Sequence, residues 1–257
     1  MLGFDMVLFT KEGFKPLSEL NLYDEVLTPL GIFEPIIKMS RVEDVDYYIK
    51  TSTDEIIACS RDLELPVYDK EHNEKMVCVS CIKNKQYYTT KILPYDSSFT
   101  TRDNLYRLGT DIPSEITNDI LKLSEYHRYE LLCGLMDTPI CELKSKDGIY
   151  VFKPHSPQFE KGLVALLRLF GFPVTCSVSQ GHRIIRFGIQ NIAVIDDIPI
   201  RDDYKDINDI PPDNRYCFMP IRDNGTLKNK VKGRAITVEG GLVLAGYSLV
   251  PVKCQKL

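Results

Sequence analysis

A chain of 257 residues with 44% hydrophobic content can bury a sizeable core, as one large domain or two small ones. No apolar run is long enough to span a bilayer, and the opening MLGFDMVLFTKEG carries acid and base in its first twelve residues, so neither a membrane anchor nor a signal peptide is expected. A formal charge of −4 and a pI near 5.7 argue against a strong bulk attraction to nucleic acid.

Residues 1–95 read as β structure. MVLFT, EVLTPLG, PIIKMS, YYIKTS, EIIACS, LPVYD, KMVCVS and YYTTKILP are short apolar or β-branched runs separated by turn residues, the pattern of a curled all-β module. From Ser114 the period becomes helical: SEITNDILKLSEYHRYELLCGLMDT predicts one helix with Ser114 as its N-cap, although Thr117 stands where a capping box would place Glu or Gln. Asp147-Gly148 predicts a turn before the strand IYVFKP. SPQFEKGLVALLRLFGF predicts a helix capped by Ser156, opened by Pro157 and ended by Gly171. PVTCSVSQGHRIIRFGIQ predicts a hairpin turning at Gln180-Gly181. Residues 196–213 hold seven acids against Arg201 and Lys205 and read as a solvated linker. The β pattern returns in RYCFMPIRD and AITVEGGLVLAGYSLVPV. A mixed fold is therefore expected: one all-β domain from 1–95 plus 216–257, interrupted by an α+β insertion over 96–215.

Eight cysteines are spread through the chain, several in apolar strings, and are expected as reduced thiols. Cys78 and Cys81 form a CxxC with only His72 nearby, too few ligands for a zinc site. There is no phosphate-binding glycine loop and no HExxH, and Asn224-Gly225-Thr226 is a chance glycosylation match without a secretory signal. No cofactor or metal is expected.

Four blocks in order carry a resemblance. They are LGFDMVLFTKEGFKPLSELNLYDEVLTPLG, YYIKTSTDEIIACSRDLELPVYD, the middle segment with HRYELLCGLMDT and the following strand, helix and hairpin, and AITVEGGLVLAGYSLVPVKC. Together they resemble an intein, a horseshoe-like Hint splicing fold interrupted by a LAGLIDADG homing endonuclease. The resemblance implies where splicing chemistry would sit. The first position, a Cys or Ser nucleophile in the family, is Met1. The Thr-x-x-His whose His protonates the leaving amide is Ser60 to Leu63. The Asp common before the next strand falls at Ala235. The terminal His-Asn-nucleophile is Val252-Lys253-Cys254, and lysine forms no succinimide.

The resemblance treats the nuclease positions alike. Leu132, Cys133, Gly134, Leu135 and Met136 keep the face on which the motif helix packs against its twin. Asp137 keeps the first acid, but the second, which holds the metal that activates water, is Pro139, and the closing Gly is Ile140. The stretch before Ser114 is too short for a complete first repeat. The face is therefore expected to be covered by another chain, as a protein partner or homo-oligomer, or by a remnant helix from residues 97–112.

Losses at the active positions with the scaffold retained imply a non-enzymatic protein, since random decay would damage the core as readily. The chain begins at the family's first splicing position and ends just past its last, so a free-standing intein-derived protein is expected. Its expected role is a structural or interaction component, of a phage or viral assembly for instance, in a microbial cytoplasm or in a virion. The alternatives are a non-cleaving DNA-binding protein and a residual homing endonuclease. On the DNA reading Lys146, Lys153, His182, Arg183 and Arg186 would meet phosphates. Against it, residues 96–215 hold 18 acids and 14 Lys and Arg.

Overall fold

The computed structural model describes the chain except residues 70–72, 83–87, 90–91, 145–148, 189–218 and 255–257. The chain divides into two compact units, 1–94 with 218–257, and 95–217. The acidic segment 196–213, the turn at 147–148, His72 and Lys146 fall outside the described residues.

The first unit is built from short strands: β1 (Leu2–Gly3), β2 (Val7–Thr10), β3 (Gly13–Pro16), β4 (Glu25–Leu27), β5 (Phe33–Pro35), β6 (Lys38–Met39), β7 (Glu43–Lys50), β8 (Ile56–Cys59), β9 (Glu64–Tyr68), β10 (Glu74–Cys78) and β11 (Tyr88–Thr89). Turn residues force the chain to reverse between them. Thr10 accepts from the Glu12 amide and donates to the Gly13 carbonyl at 2.8 Å, which closes the β2–β3 hairpin.

The second unit follows. It holds α1 (Leu105–Thr110), α2 (Asn118–Leu121), α3 (Glu125–Met136), β12 (Cys141–Lys144), β13 (Ile149–Phe152), α4 (Pro157–Leu169), β14 (Val174–Ser179) and β15 (His182–Gly188). The chain then returns to the first unit with β16 (Asp223–Arg234), β17 (Ile236–Thr237), β18 (Leu242–Ala245) and β19 (Val250–Lys253).

In the first unit the two ends of the sequence interleave. A closed barrel runs β1-β16-β7-β8, and a second sheet runs β19-β18-β2-β4-β5 with β3 on β2. β16 pairs with β7 from Asp223↔Lys50 to Gly233↔Glu43, with a register shift between Thr226 and Val231. Gly233 lies against the Leu2 carbonyl, where a Cβ would not fit. One core joins Leu8, Val26, Ile36, Ile49 and Ile57 from the front of the chain to Ile236, Val238, Val243, Val250 and Val252 from its end. Glu55 fastens the last turn: its carboxylate accepts from the Tyr247 and Ser248 amides at 2.9 and 2.8 Å and from the Ser248 hydroxyl at 2.6 Å.

β16 has no counterpart among the strands read from sequence. Its DNGTLKNKVKGR has little apolar alternation, because Lys228, Asn229, Lys230 and Lys232 are all exposed. Pairing to β7 and β1, rather than propensity, makes it a strand.

In the second unit an antiparallel sheet runs β12-β13-β15-β14. Tyr150, Phe152, Phe187 and Ile185 on one face are fully buried or nearly so, as are Phe159, Leu163 and Leu166 of α4. α4 is capped as the sequence indicates: the Ser156 hydroxyl accepts from the Phe159 amide at 3.1 Å, Pro157 opens the first turn, and Gly171 follows at φ +78°. The β14–β15 hairpin turns at Gln180 and Gly181, φ +51° and +79°.

The single helix expected from Ser114 is instead two. α2 ends at Leu121 and α3 starts at Glu125. The Ser124 amide is taken by the Phe99 carbonyl at 2.7 Å, which pulls the backbone out of helical geometry. Ser114 caps nothing; its carbonyl accepts from the Ser156 hydroxyl at 3.4 Å. α3 is capped from a distance: Asp96 Oδ1 accepts from the Glu125 amide at 2.7 Å. The same entering segment binds α4 through the Tyr95 amide and the Leu169 carbonyl, 2.9 Å apart.

Arg128 of α3 is fully buried beneath that segment. It donates to the Tyr95 carbonyl, and its guanidinium lies 4.9 Å from the Tyr95 ring centre and 5.4 Å from that of Phe170. Burial pushes its pKa down. Among the described residues no helix is long and apolar enough to cross a membrane.

Candidate functional site

β8 ends at Cys59, and the chain turns sharply through Ser60. The Ser60 amide donates to the Met1 carbonyl at 2.9 Å and the Leu63 amide to the Ser60 carbonyl at 3.1 Å. The α-ammonium of Met1 donates to Ser60 Oγ at 2.6 Å. The Ser60 hydroxyl in turn hydrogen-bonds Asp62, which holds that carboxyl below its ordinary range. Burial lowers the pKa of the Met1 ammonium. From the other end of the sequence, β17 and β19 deliver Ala235 just before one strand and Val252, Lys253 and Cys254 along and after the other.

These segments enclose a cavity of about 340 Å³, a size that suits a small molecule or a short peptide. Met1, Leu63, Ala235, Val252, Lys253 and Cys254 all line it. Six of the seven splicing positions assigned from sequence thus meet around one space, and the seventh, Ser60, contacts Met1 directly.

Of the six, Met1, Leu63, Val252 and Ala235 present a thioether, two alkyl side chains and a methyl, none of which attacks a carbonyl or moves a proton. The Lys253 ammonium is ion-paired with Glu64. Cys254 is 8% exposed, and burial pushes its thiol up to about 11, so it is a thiol rather than a thiolate at neutral pH. Cys59, the other buried cysteine near Met1, is pushed up to about 12 by burial.

Three charged lining residues were not picked out from sequence: Asp62, Glu64 and Arg234. The Arg234 guanidinium stands 4.9 Å from the Phe4 ring centre, with Nη1 3.6 Å from the Met39 sulfur. Only tertiary placement distinguishes these three from the other charges of the chain.

In the second unit, the seam residues pack against α1. Leu132 and Leu135 are fully buried, and Cys133 and Met136 are 6% and 7% exposed. A Cβ on Gly134 would collide with the Tyr106 carbonyl oxygen and lie 3.0 Å from Gly109 Cα. A Cβ on Gly109 would meet the Leu131 carbonyl oxygen at 2.5 Å. Two glycines therefore let the helix backbones touch, and a helix within residues 97–112 covers the face that needed a cover. Asp137 at the α3 C-terminus accepts from the Tyr106 hydroxyl at 2.6 Å, which joins the ends of the two helices. Pro139 follows in the turn after the helix and offers no side-chain ligand atom.

Among the described residues assigned to DNA, Arg183 and Arg186 lie on opposite faces of β15. Arg183 shares the face of Ile185 and Phe187 on β15, toward α4, where it pairs with Glu160 at 2.5 Å. Arg186 points to the other face and donates to Ser177 Oγ at 2.5 Å. Lys153 pairs with Glu142. His182 is exposed at the hairpin end. Among the described residues no group of three or more His, Cys, Asp or Glu is placed to hold a metal ion.

No family model matches the sequence. No curated protein matches it either. Solved structures are similar over nearly the whole chain, and they are intein splicing domains. The crystal structure of the MchDnaB-1 intein has a TM-score of 0.44 at 10% identity, covering 98% of this chain and 99% of that one. The Msm DnaB1 intein splicing domain bound with zinc has a TM-score of 0.43 at 10% identity, covering 98% and 99%. The gp41-1 intein has a TM-score of 0.35 at 8% identity, covering 99% and 97%.

Proposed function

We propose that the protein is a catalytically silent, intein-derived chain that serves as a structural or interaction component of a larger assembly, such as a phage or viral one. One observation carries this reading. The positions that the sequence resemblance assigns to splicing, scattered from Met1 to Cys254, gather at one cavity, and among those positions only Cys254, a buried protonated thiol, carries a nucleophile, while none is a histidine or an asparagine. On this reading the second unit descends from a LAGLIDADG nuclease. In support, its helix-strand-strand-helix-strand-strand order places Gly134 at a helix seam and Asp137 and Pro139 at that helix's end. A partner would dock away from α3, because α1 already occupies the seam. The ion pairs of Lys153 and Arg183 weigh against a retained DNA surface.

The test is to express the chain between two tagged flanking peptides and examine the products by mass spectrometry. Intact precursor alone is expected after prolonged incubation at neutral pH. Ligated flanks, or cleavage at either junction above the rate of a flanked unrelated domain, would refute the proposal.

A further inference from the structure

Behind the cavity lies a feature that neither splicing nor assembly explains. β10 runs antiparallel to β9, with Cys78 opposite Glu64. At its end the chain makes a single 3-10 turn, Val79–Cys81, with Cys78 in the capping position and the Ile82 amide bonded to the Val79 carbonyl at 3.2 Å. The turn is held firmly. The Val79 amide donates to the Leu63 carbonyl at 2.8 Å, the Ser80 amide to the Arg61 carbonyl at 3.2 Å, and Asn224 Nδ2 to the Val79 carbonyl at 2.6 Å. Residues one such turn apart have side chains on the same side and Cα atoms roughly 6 Å apart, within the span a disulfide bridges. Cys81 is exposed and Cys78 half-buried.

We propose that Cys78 and Cys81 are a reversible dithiol–disulfide pair, a redox-modification site for a small-molecule disulfide such as oxidised glutathione. The exposed Cys81 thiolate attacks one sulfur of the oxidant, displacing a glutathione thiolate and leaving a mixed disulfide. Cys78, one turn away, attacks Sγ of Cys81 and displaces the second glutathione. Two protein thiols lose two electrons and two protons, and one molecule of oxidised glutathione becomes two thiols. The other described cysteines do not compete: Cys59, Cys133, Cys176 and Cys254 are buried, and burial pushes the Cys141 thiol up to about 12.

Burial, followed by the Glu64 carboxylate, raises the pKa of Cys78, which leaves the exposed Cys81 as the first thiol to react.

The experiment equilibrates the full-length chain in graded glutathione buffers, quenches with an alkylating agent and maps the peptides by mass spectrometry. The expected product is an intramolecular bond within the peptide containing residues 78 and 81, lighter by two hydrogens and fully reversed by dithiothreitol. Cys78→Ser should stop at a glutathione mixed disulfide on Cys81. A wild-type chain that stops at the mixed disulfide, or pairs either residue with another cysteine, would overturn the proposal.

Discussion

Deleting the chain from Gly233 onward should abolish cooperative folding of residues 1–95. The deletion removes β17, β18 and β19 and the end of β16 that pairs with β1. It also strips Ile236, Val238, Val243, Leu244, Leu249, Val250 and Val252 from the core, each no more than 3% exposed. Burying one such side chain contributes about 1.5–3 kcal/mol, so the loss is on the order of 10–20 kcal/mol. A domain's whole stability is about 5–15 kcal/mol. β1 loses one of its two neighbours and β2 loses β18, which exposes strand edges and leaves Leu8 and Val26 without cover. Circular dichroism during heating should show no cooperative transition, and limited proteolysis should degrade the front strands. A sharp transition for residues 1–95 at the melting temperature of the intact chain would mean that the front strands hold themselves together.

Gly134→Phe should destabilise the second unit by about 1–3 kcal/mol, the usual cost of overpacking a close contact. The reason is local. The substituent must enter the space filled by the Tyr106 carbonyl and Gly109, so α1 would have to leave α3. Detachment would also break the Tyr106–Asp137 hydrogen bond. Because α1 belongs to the same chain, the expected effect is a lower melting temperature without a change in oligomeric state. Unchanged melting would show that the two helices do not pack through their glycines.

Much of the local structure was legible because single residues announce it. Ser156, Pro157 and Gly171 mark the two ends of α4, and Gln180-Gly181 marks its hairpin. The break between α2 and α3 was not legible, because it depends on Phe99 and Asp96 reaching over from a segment some 25 residues earlier. β16 was missed because its exposed lysines disguise a strand held only by its neighbours. At the cavity, Met1, Leu63, Ala235 and Lys253 were found only through the order of the family's blocks. Nothing about an alanine or a leucine by itself marks a position as part of a site. Asp62, Glu64 and Arg234 lay beyond reach for the opposite reason: a chain with 68 charged residues gives no sign of which of them face a cavity.

We propose that Met1, Leu63 and Lys253 stand where a splicing centre's nucleophile, acid and cyclising residue once stood. The direct measurement is to restore all three, as Met1→Cys, Leu63→His and Lys253→Asn, in a chain flanked by tagged peptides. Thiol-dependent cleavage at the upstream junction is expected, visible as a released flank on adding dithiothreitol and absent from the unrestored chain. A restored chain that melts cooperatively, like the parent, yet releases no flank would contradict it.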